Sequence, residues 1–122
     1  MFISKIMLKK DFRLRKQKDF DRVFGKGGSF FSQGYLSLKM VPNSLDLSRI
    51  GFIVSNKVSK KAVSRNRIKR LLRESVRSHW DDIVAGYDAV VMVKSDVSDK
   101  KLDEVDKAVD SLLKKSGLLV RK

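Results

Sequence analysis

Residues 62–79 carry the pattern that most constrains the fold, because their side chains separate into two faces at helical spacing. At about 100° per residue, one arc collects the apolar and small side chains Ile68, Leu71, Leu72, Ser75, Val76 and His79. The opposite side carries Asn66, Arg67, Lys69, Arg70, Arg73 and Arg77, with Arg65 near the boundary. A helix with such an arc must cover another apolar element, so the pattern predicts a layered domain.

The cationic side of this helix is unlike that of an ordinary exposed helix, which mixes charges of both signs. Residues 57–77 hold nine Lys or Arg and one acid, Glu74, and residues 1–26 hold nine against three. The net charge is +14, so the folded chain repels itself unless an anionic partner binds. The pattern indicates contact with a polyanion and leaves RNA, DNA and anionic lipid open. A lipid-binding helix would need a free apolar face.

The rest of the chain predicts one α+β domain over residues 1–122, with residues 1–10 a weakly ordered extension. A short helix over residues 18–24 places Phe20, Val23 and Phe24 on one face. Residues 34–41 alternate as a strand, with Leu36, Leu38 and Met40 on one face and Tyr35, Ser37 and Lys39 on the other.

Three further elements complete the prediction. Residues 49–55 form a second strand, continuously apolar and therefore expected to be central, and residues 88–94 form a third. A last helix, capped by Ser98 or Asp99, has an apolar stripe and stops at Gly117. The stripe consists of Leu102, Val105, Val109, Leu112 and Leu113. The order is α-β-β-α-β-α, with the first two strands paired as a hairpin and the long helix crossing to the third.

Several kinds of chemistry are excluded or disfavoured. The chain has no cysteine, so it has no disulfide, thiolate metal site or cysteine nucleophile. Its apolar runs are much shorter than a membrane span, so we expect a cytoplasmic protein without membrane contact. His79, on the inner arc, is expected to be packed rather than a general base. No carboxylate pattern resembles a two-metal site, so we expect neither a catalytic residue nor a metal ligand on the protein.

Two segments resemble a known family. The run from Ser55-Asn56-Lys57 through Ala62-Val63-Ser64-Arg65-Asn66-Arg67-Ile68-Lys69-Arg70 to Glu74 is similar to the signature of the bacterial ribonuclease P protein subunit. Upstream, Arg13-Leu14, then Asp19-Phe20-Asp21-Arg22-Val23-Phe24 and Gly27, resemble the N-terminal helix region of that family.

The resemblance implies a ribosomal protein S5 domain 2-like fold with a left-handed βαβ crossover, contrary to the usual handedness. It also implies a function. The protein would bind ribonuclease P RNA, a catalytic RNA, and assist in removing the 5′ leader of precursor tRNA by hydrolysis of one phosphodiester bond. The RNA and its Mg²⁺ would perform the chemistry, the protein would bind no cofactor tightly, and no obligate protein partner is evident.

The resemblance also implies site residues. The expected contacts to the catalytic RNA are Arg65, Asn66, Arg67, Lys69, Arg70 and Arg73. Phe20 and Phe24 would line a cleft for the single-stranded leader, where bases can stack on aromatic rings without sequence preference. Leu36 and Leu38 would lie on the sheet face of that cleft, and Lys57 would contact phosphate. Relatives can carry an aromatic residue where Leu38 stands.

Two other functions remain open from the residues alone. A ribosomal protein or ribosome-assembly factor would also be a small basic α+β domain, and the segment from Ser55 to Glu74 argues against it. A DNA-binding module is the third possibility, but no helix-turn-helix spacing is visible.

Overall fold

The computed structural model describes residues 12–120, which form seven helices and strands. In chain order these are α1 (Gln17–Phe24), β1 (Ser29–Gln33), β2 (Leu36–Pro42), β3 (Arg49–Ile53), α2 (Ala62–Ser78), β4 (Tyr87–Val93) and α3 (Leu102–Ser116). A single 3₁₀ turn, Trp80–Asp82, follows α2. The expected single α+β domain is confirmed. The predicted extension over residues 1–10 lies outside the described residues.

The four strands form one mixed sheet in the order β1-β2-β4-β3. β1 and β2 pair antiparallel around a turn at Gly34, whose φ of 60° suits a residue without a Cβ. β2 pairs antiparallel with β4, and β3 pairs parallel with β4. α2 therefore crosses over from β3 to β4, as predicted, while the handedness of that crossover stays a prediction from the resemblance.

Three expectations about the sheet were wrong. β1 was not predicted, and the expected hairpin between the strands now called β2 and β3 does not exist, because β4 lies between them. β3 is an edge strand rather than a central one. Its apolar composition has another cause: both of its faces are covered, and the Leu14 N–H donates to the Ile50 carbonyl at 3.2 Å along part of its outer edge.

The two faces of the sheet pack against different helices. α2 and α3 cover one face and enclose the main core, which includes Leu38, Ile50, Leu72 and Val91. α1 lies on the opposite face over a smaller cluster of Leu14, Val23, Val41 and Val90. Because alternate residues of a strand point to opposite faces, each central strand contributes to both cores.

Both long helices bury the faces expected of them, except at the N-terminal end of α3. In α2 the buried residues are Ile68, Leu71, Leu72, Ser75 and Val76. In α3 the stripe is buried except for Leu102, which is 44% exposed. The cap prediction was wrong: α3 begins at Leu102, and the Glu104 carboxylate accepts a hydrogen bond from the Lys101 N–H at 3.1 Å. Gly117 ends it with φ 85°, as predicted.

A buried carboxylate on the sheet forms an ion pair with α1. Asp88 of β4 is 0% exposed and forms an ion pair with Arg22 of α1. Arg49 of β3 donates two hydrogen bonds to it, at 2.8 and 2.6 Å, and the Asn43 side chain donates a third at 2.9 Å. The Asp19 carboxylate of α1 lies 3.6 Å from Arg49. This Asp88 cluster thus joins α1 to two strands and to the β2–β3 loop.

The pKa of Asp88 reflects two opposing effects. Burial raises the pKa, but the hydrogen bonds from Arg49 and Asn43 and the charges of Arg49 and Arg22 outweigh it, so the net shift is downward. A carboxyl whose pKa is lowered on folding stabilises the folded state at every pH above its unfolded value, about 3.9. That stabilisation disappears as the pH falls through the folded-state pKa.

We predict that Asp88→Asn lowers the free energy of unfolding by about 2 kcal/mol or more at pH 7, because it removes the negative charge shared by two arginines and replaces one acceptor oxygen with a donor. Urea denaturation measures this change. Asp46→Asn, in the exposed part of the β2–β3 loop, is the control. An equal small change in both variants would contradict the anchoring role of Asp88.

We also predict that the stability difference between the wild type and Asp88→Asn depends on pH in one direction. It should be constant from pH 7 to about pH 5 and shrink below about pH 4, where the unfolded wild-type chain binds a proton at this carboxyl that the folded state does not yet bind. Denaturation curves at a series of pH values would test this. A difference that grows on acidification would contradict the lowered pKa.

Candidate nucleic-acid interface

The solvent side of α2 carries the six predicted polar side chains Arg65, Asn66, Arg67, Lys69, Arg70 and Arg73, which we call the cationic ridge. Asn66, Arg67 and Arg70 are exposed and the other three are half-buried. No cation of the ridge lies within 4.0 Å of a carboxylate in residues 12–120. The ridge therefore presents positive charge that is not neutralised by ion pairing within that part of the chain.

Two arginines of the ridge are oriented by backbone carbonyls. Arg65 donates to the Ser59 carbonyl at 3.0 Å, and Arg67 donates through Nε to the Ser98 carbonyl at 2.5 Å. A guanidinium has five N–H donors, so each of these arginines retains donors for a ligand. The contacts hold the side chains in place over the loops that precede α2 and α3.

Arg73 lies in a more confined position than the rest of the ridge. Burial and the nearby charge of Arg13 lower the pKa of Arg73, and the charge of Glu74 offsets part of that shift. Its Nε is buried and has no hydrogen-bond partner among the described residues. A buried guanidinium nitrogen without an acceptor favours an anionic ligand, which would supply the missing acceptor.

A small cavity of about 170 Å³ lies where the N-terminal segment meets α2. Four cationic side chains line this cavity. Arg13 and Arg15 come from the N-terminal segment, and Lys69 and Arg73 come from α2. The rings of Phe20 and Phe52 also line it. Arg13 and Arg15 were not predicted as site residues. The signals for them were the charge density of residues 1–26 and, for Arg13, its place in the segment that resembles the family. The segment before α1 is not helical, so it offers no amphipathic pattern that would mark these side chains.

The two aromatic residues of α1, Phe20 and Phe24, line a second space together. A second groove, of about 320 Å³, is lined by Gln17, Phe20, Asp21 and Phe24 of α1 and by Ile53 of β3. Phe24 is 42% exposed. The Phe20 ring packs over Gly51, where a Cβ would come within 2.7 Å of Phe20 Cζ. Since Phe20 lines both spaces, the groove and the cavity beside Lys69 and Arg73 adjoin at the β3 edge of the sheet.

The assignment of Leu36 and Leu38 to an open cleft was wrong. Both side chains are 0% exposed and belong to the core under α2 and α3. The alternation in β2 was identified correctly, but the apolar face is the one that the two long helices cover. Their neighbours Ser37 and Lys39 lie on the α1 face instead, and Lys39 Nζ donates to the Gly25 carbonyl at 3.1 Å. Lys57 is exposed in the β3–α2 loop.

His79 is packed, as expected, with a side chain that is only 14% exposed. Its Nε2 lies 2.9 Å from an Asp106 oxygen and its Nδ1 lies 3.9 Å from Asp110. Within residues 12–120, no group of three or more His, Cys, Asp or Glu is arranged to hold a metal ion. No helix in the same range is both long enough and apolar enough to cross a membrane.

Comparison with known proteins identifies the relatives of this chain. Residues 8–117 match the family model described as Ribonuclease P. The ribonuclease P protein component of Dehalococcoides mccartyi is 42% identical over 107 residues, covering 88% of this chain and 86% of the relative. That of Clostridium botulinum is 39% identical over 110 residues, covering 89% and 97%.

Two solved structures share the fold. The RNase P protein of Staphylococcus aureus superposes with a TM-score of 0.79 at 28% identity, covering 89% of this chain and 98% of that one. The RNase P protein of Thermotoga maritima gives 0.75 at 33% identity, covering 84% and 96%. On the family match and the identity to these relatives, the chain belongs to the Ribonuclease P family of protein components.

Proposed function

We propose that this protein binds the catalytic RNA of ribonuclease P through the cationic ridge and the 5′ leader of precursor tRNA through the groove beside Phe20 and Phe24. One observation carries the proposal: Phe20 lines both the α1 groove and the cavity that contains Lys69 and Arg73. A single-stranded segment in the groove would therefore lie directly beside an RNA held on α2.

The chemistry of the ridge supports RNA docking. Arginine predominates, and its planar guanidinium can hold a phosphate with two parallel hydrogen bonds, which an ammonium cannot do. Asn66 adds a neutral donor and acceptor suited to a sugar or a base edge. Lys57 supplies a further phosphate contact from the loop before α2.

The chemistry of the groove supports binding of an unpaired strand. Base stacking on an aromatic ring contributes about 1–3 kcal/mol and tolerates any base, which a leader of variable sequence requires. Phe24 offers an exposed ring for this purpose, and Phe20 is held against Gly51 as the inner wall. Leu36 and Leu38 take no part, because they are enclosed in the other core.

We propose that the RNA, and not the protein, catalyses the hydrolysis. The described residues do not offer the carboxylate cluster that a protein uses to hold catalytic Mg²⁺. RNA phosphates would supply the Mg²⁺ ligands, and the metal would activate water for hydrolysis of the phosphodiester bond. The protein's own contribution is binding and alignment of the precursor. In this proposal the assembly is cytoplasmic and needs no further protein.

The direct test is reconstitution with a bacterial ribonuclease P RNA and a precursor tRNA at low magnesium. Addition of the protein should raise both the affinity for the precursor and the rate of leader removal. A ribosomal or assembly role, in contrast, predicts no gain. Absence of any gain with several bacterial RNAs would overturn the proposal.

For the ridge, we predict that Arg67→Ala weakens binding to the catalytic RNA and reduces the slope of log affinity against log salt by about 1, because fewer counterions are released. Binding titrations over a range of salt concentrations measure both effects. Lys107→Ala, which removes an exposed cation from α3, is the control. Equal slopes for the two variants would contradict a phosphate contact at Arg67.

For the groove, we predict that Phe24→Ala lowers affinity for precursor tRNA by about 5-fold or more, the loss expected for one stacked base, and leaves affinity for mature tRNA unchanged. Phe20→Ala should show the same selectivity with an added loss of stability. Leu45→Ala removes a comparably exposed apolar side chain from the β2–β3 loop and serves as the control. Equal losses for both tRNAs would mean that the ring has only a structural role.

A further inference from the structure

A second aromatic side chain is exposed on the face of the sheet that carries α1. Phe30 of β1 is 60% exposed. It pairs in register with Lys39 of β2, and Lys39 lies on the same face as Val41, which packs under α1. The Phe30 ring therefore lies on the face that contains the Phe24 groove, at the opposite edge of the sheet.

Three lysines lie at or against positions of β1 and β2 that neighbour Phe30. The Lys39 ammonium, held by the Gly25 carbonyl, lies at the end of α1 next to Phe24 and opposite Phe30. At Ser32, two residues beyond Phe30, Lys94 donates to the hydroxyl and Lys115 donates to the carbonyl at 2.8 Å. None of these three lysines lies within 4.0 Å of a carboxylate in residues 12–120.

The edge position of Phe30 needs an explanation. Exposed edge strands usually avoid large apolar side chains, because these invite pairing with another chain. Here the Ser32 carbonyl already accepts a hydrogen bond from Lys115, so part of the edge that an added protein strand would use is occupied. An exposed ring among lysines is instead the combination that binds unpaired nucleotides, whose bases stack and whose phosphates require cations.

We propose that Phe30, Lys39, Lys94 and Lys115 form a distal leader surface, which binds leader nucleotides that have already passed the Phe20–Phe24 groove. This inference rests on the proposed function. The direction follows from the sheet order, since the ridge adjoins the β3 edge and β1 is the other edge. Three strand spacings separate them, roughly 14 Å at about 4.8 Å each. Because α1 lies over β2 and β4, between these two edges, the leader would have to pass the C-terminal end of α1 beside Lys39. It therefore reaches Phe30 only if it is long enough.

The test uses the reconstituted holoenzyme and precursor tRNAs whose leaders are lengthened one nucleotide at a time. With the wild type, affinity should rise in two stages as the leader grows. Phe30→Leu, which keeps an apolar side chain but removes the ring, should abolish only the second stage, a loss of about 5-fold with the longest leaders. Phe30→Tyr should retain it, and Leu45→Ala should resemble the wild type at every length.

The outcomes separate the two proposals. If Phe24→Ala weakens binding and Phe30→Leu has no effect at any length, the distal leader surface is wrong and the groove stands. If neither change affects precursor binding, the proposed leader function itself is wrong. A loss of affinity with Phe30→Leu that is independent of leader length, or a change in the oligomeric state of the protein, would also overturn the inference. Lys94→Gln should lower the salt dependence for long leaders alone.

Discussion

The position of α1 depends on the buried carboxylate of Asp88. A helix of eight residues is too short to be stable alone, and α1 packs on the sheet mainly through Val23 and Phe20. The ion pair of Arg22 with Asp88 and that of Asp19 with Arg49 fix its direction over the sheet. These contacts oppose rotation and sliding of the helix, so the Asp88 cluster helps to set the geometry of the Phe20–Phe24 groove.

The two faces of the sheet are covered by different helices. This difference separates the proposed binding site for the catalytic RNA from the proposed binding site for the leader. α2 and α3 enclose one face completely, which leaves the outer side of α2 available for the cationic ridge. α1 covers only part of the other face, so that Phe24, Lys39 and Phe30 remain accessible there. The β3 edge joins the two surfaces, because Phe20 and Arg73 line one cavity at that edge.

The local sequence pattern predicted most of the helices and strands. It could not predict the strand order, which depends on pairing between distant parts of the chain. The pattern of α2 was sufficient to predict both the helix and its buried face, because its charged and apolar side chains separate at helical spacing. β1 was missed because its exposed and half-buried residues, with glycines on both sides, give no alternation of polar and apolar side chains. β4 lies between β2 and β3 because the chain crosses over through α2 before it forms β4. No local property of these three strands reveals that order. The alternation in β2 separated Leu36 and Leu38 from Ser37 and Lys39, but only the helix packing shows which face is enclosed.

In the proposed complex, one face of the protein holds the catalytic RNA while the adjoining face holds the leader. Photo-crosslinking tests it most directly, with the photoreactive residue placed at Asn66 or at Phe24 in the holoenzyme bound to precursor tRNA. We expect position 66 to crosslink to the catalytic RNA and position 24 to crosslink to leader nucleotides. Crosslinking of both positions to the catalytic RNA, with none to the leader, would contradict it.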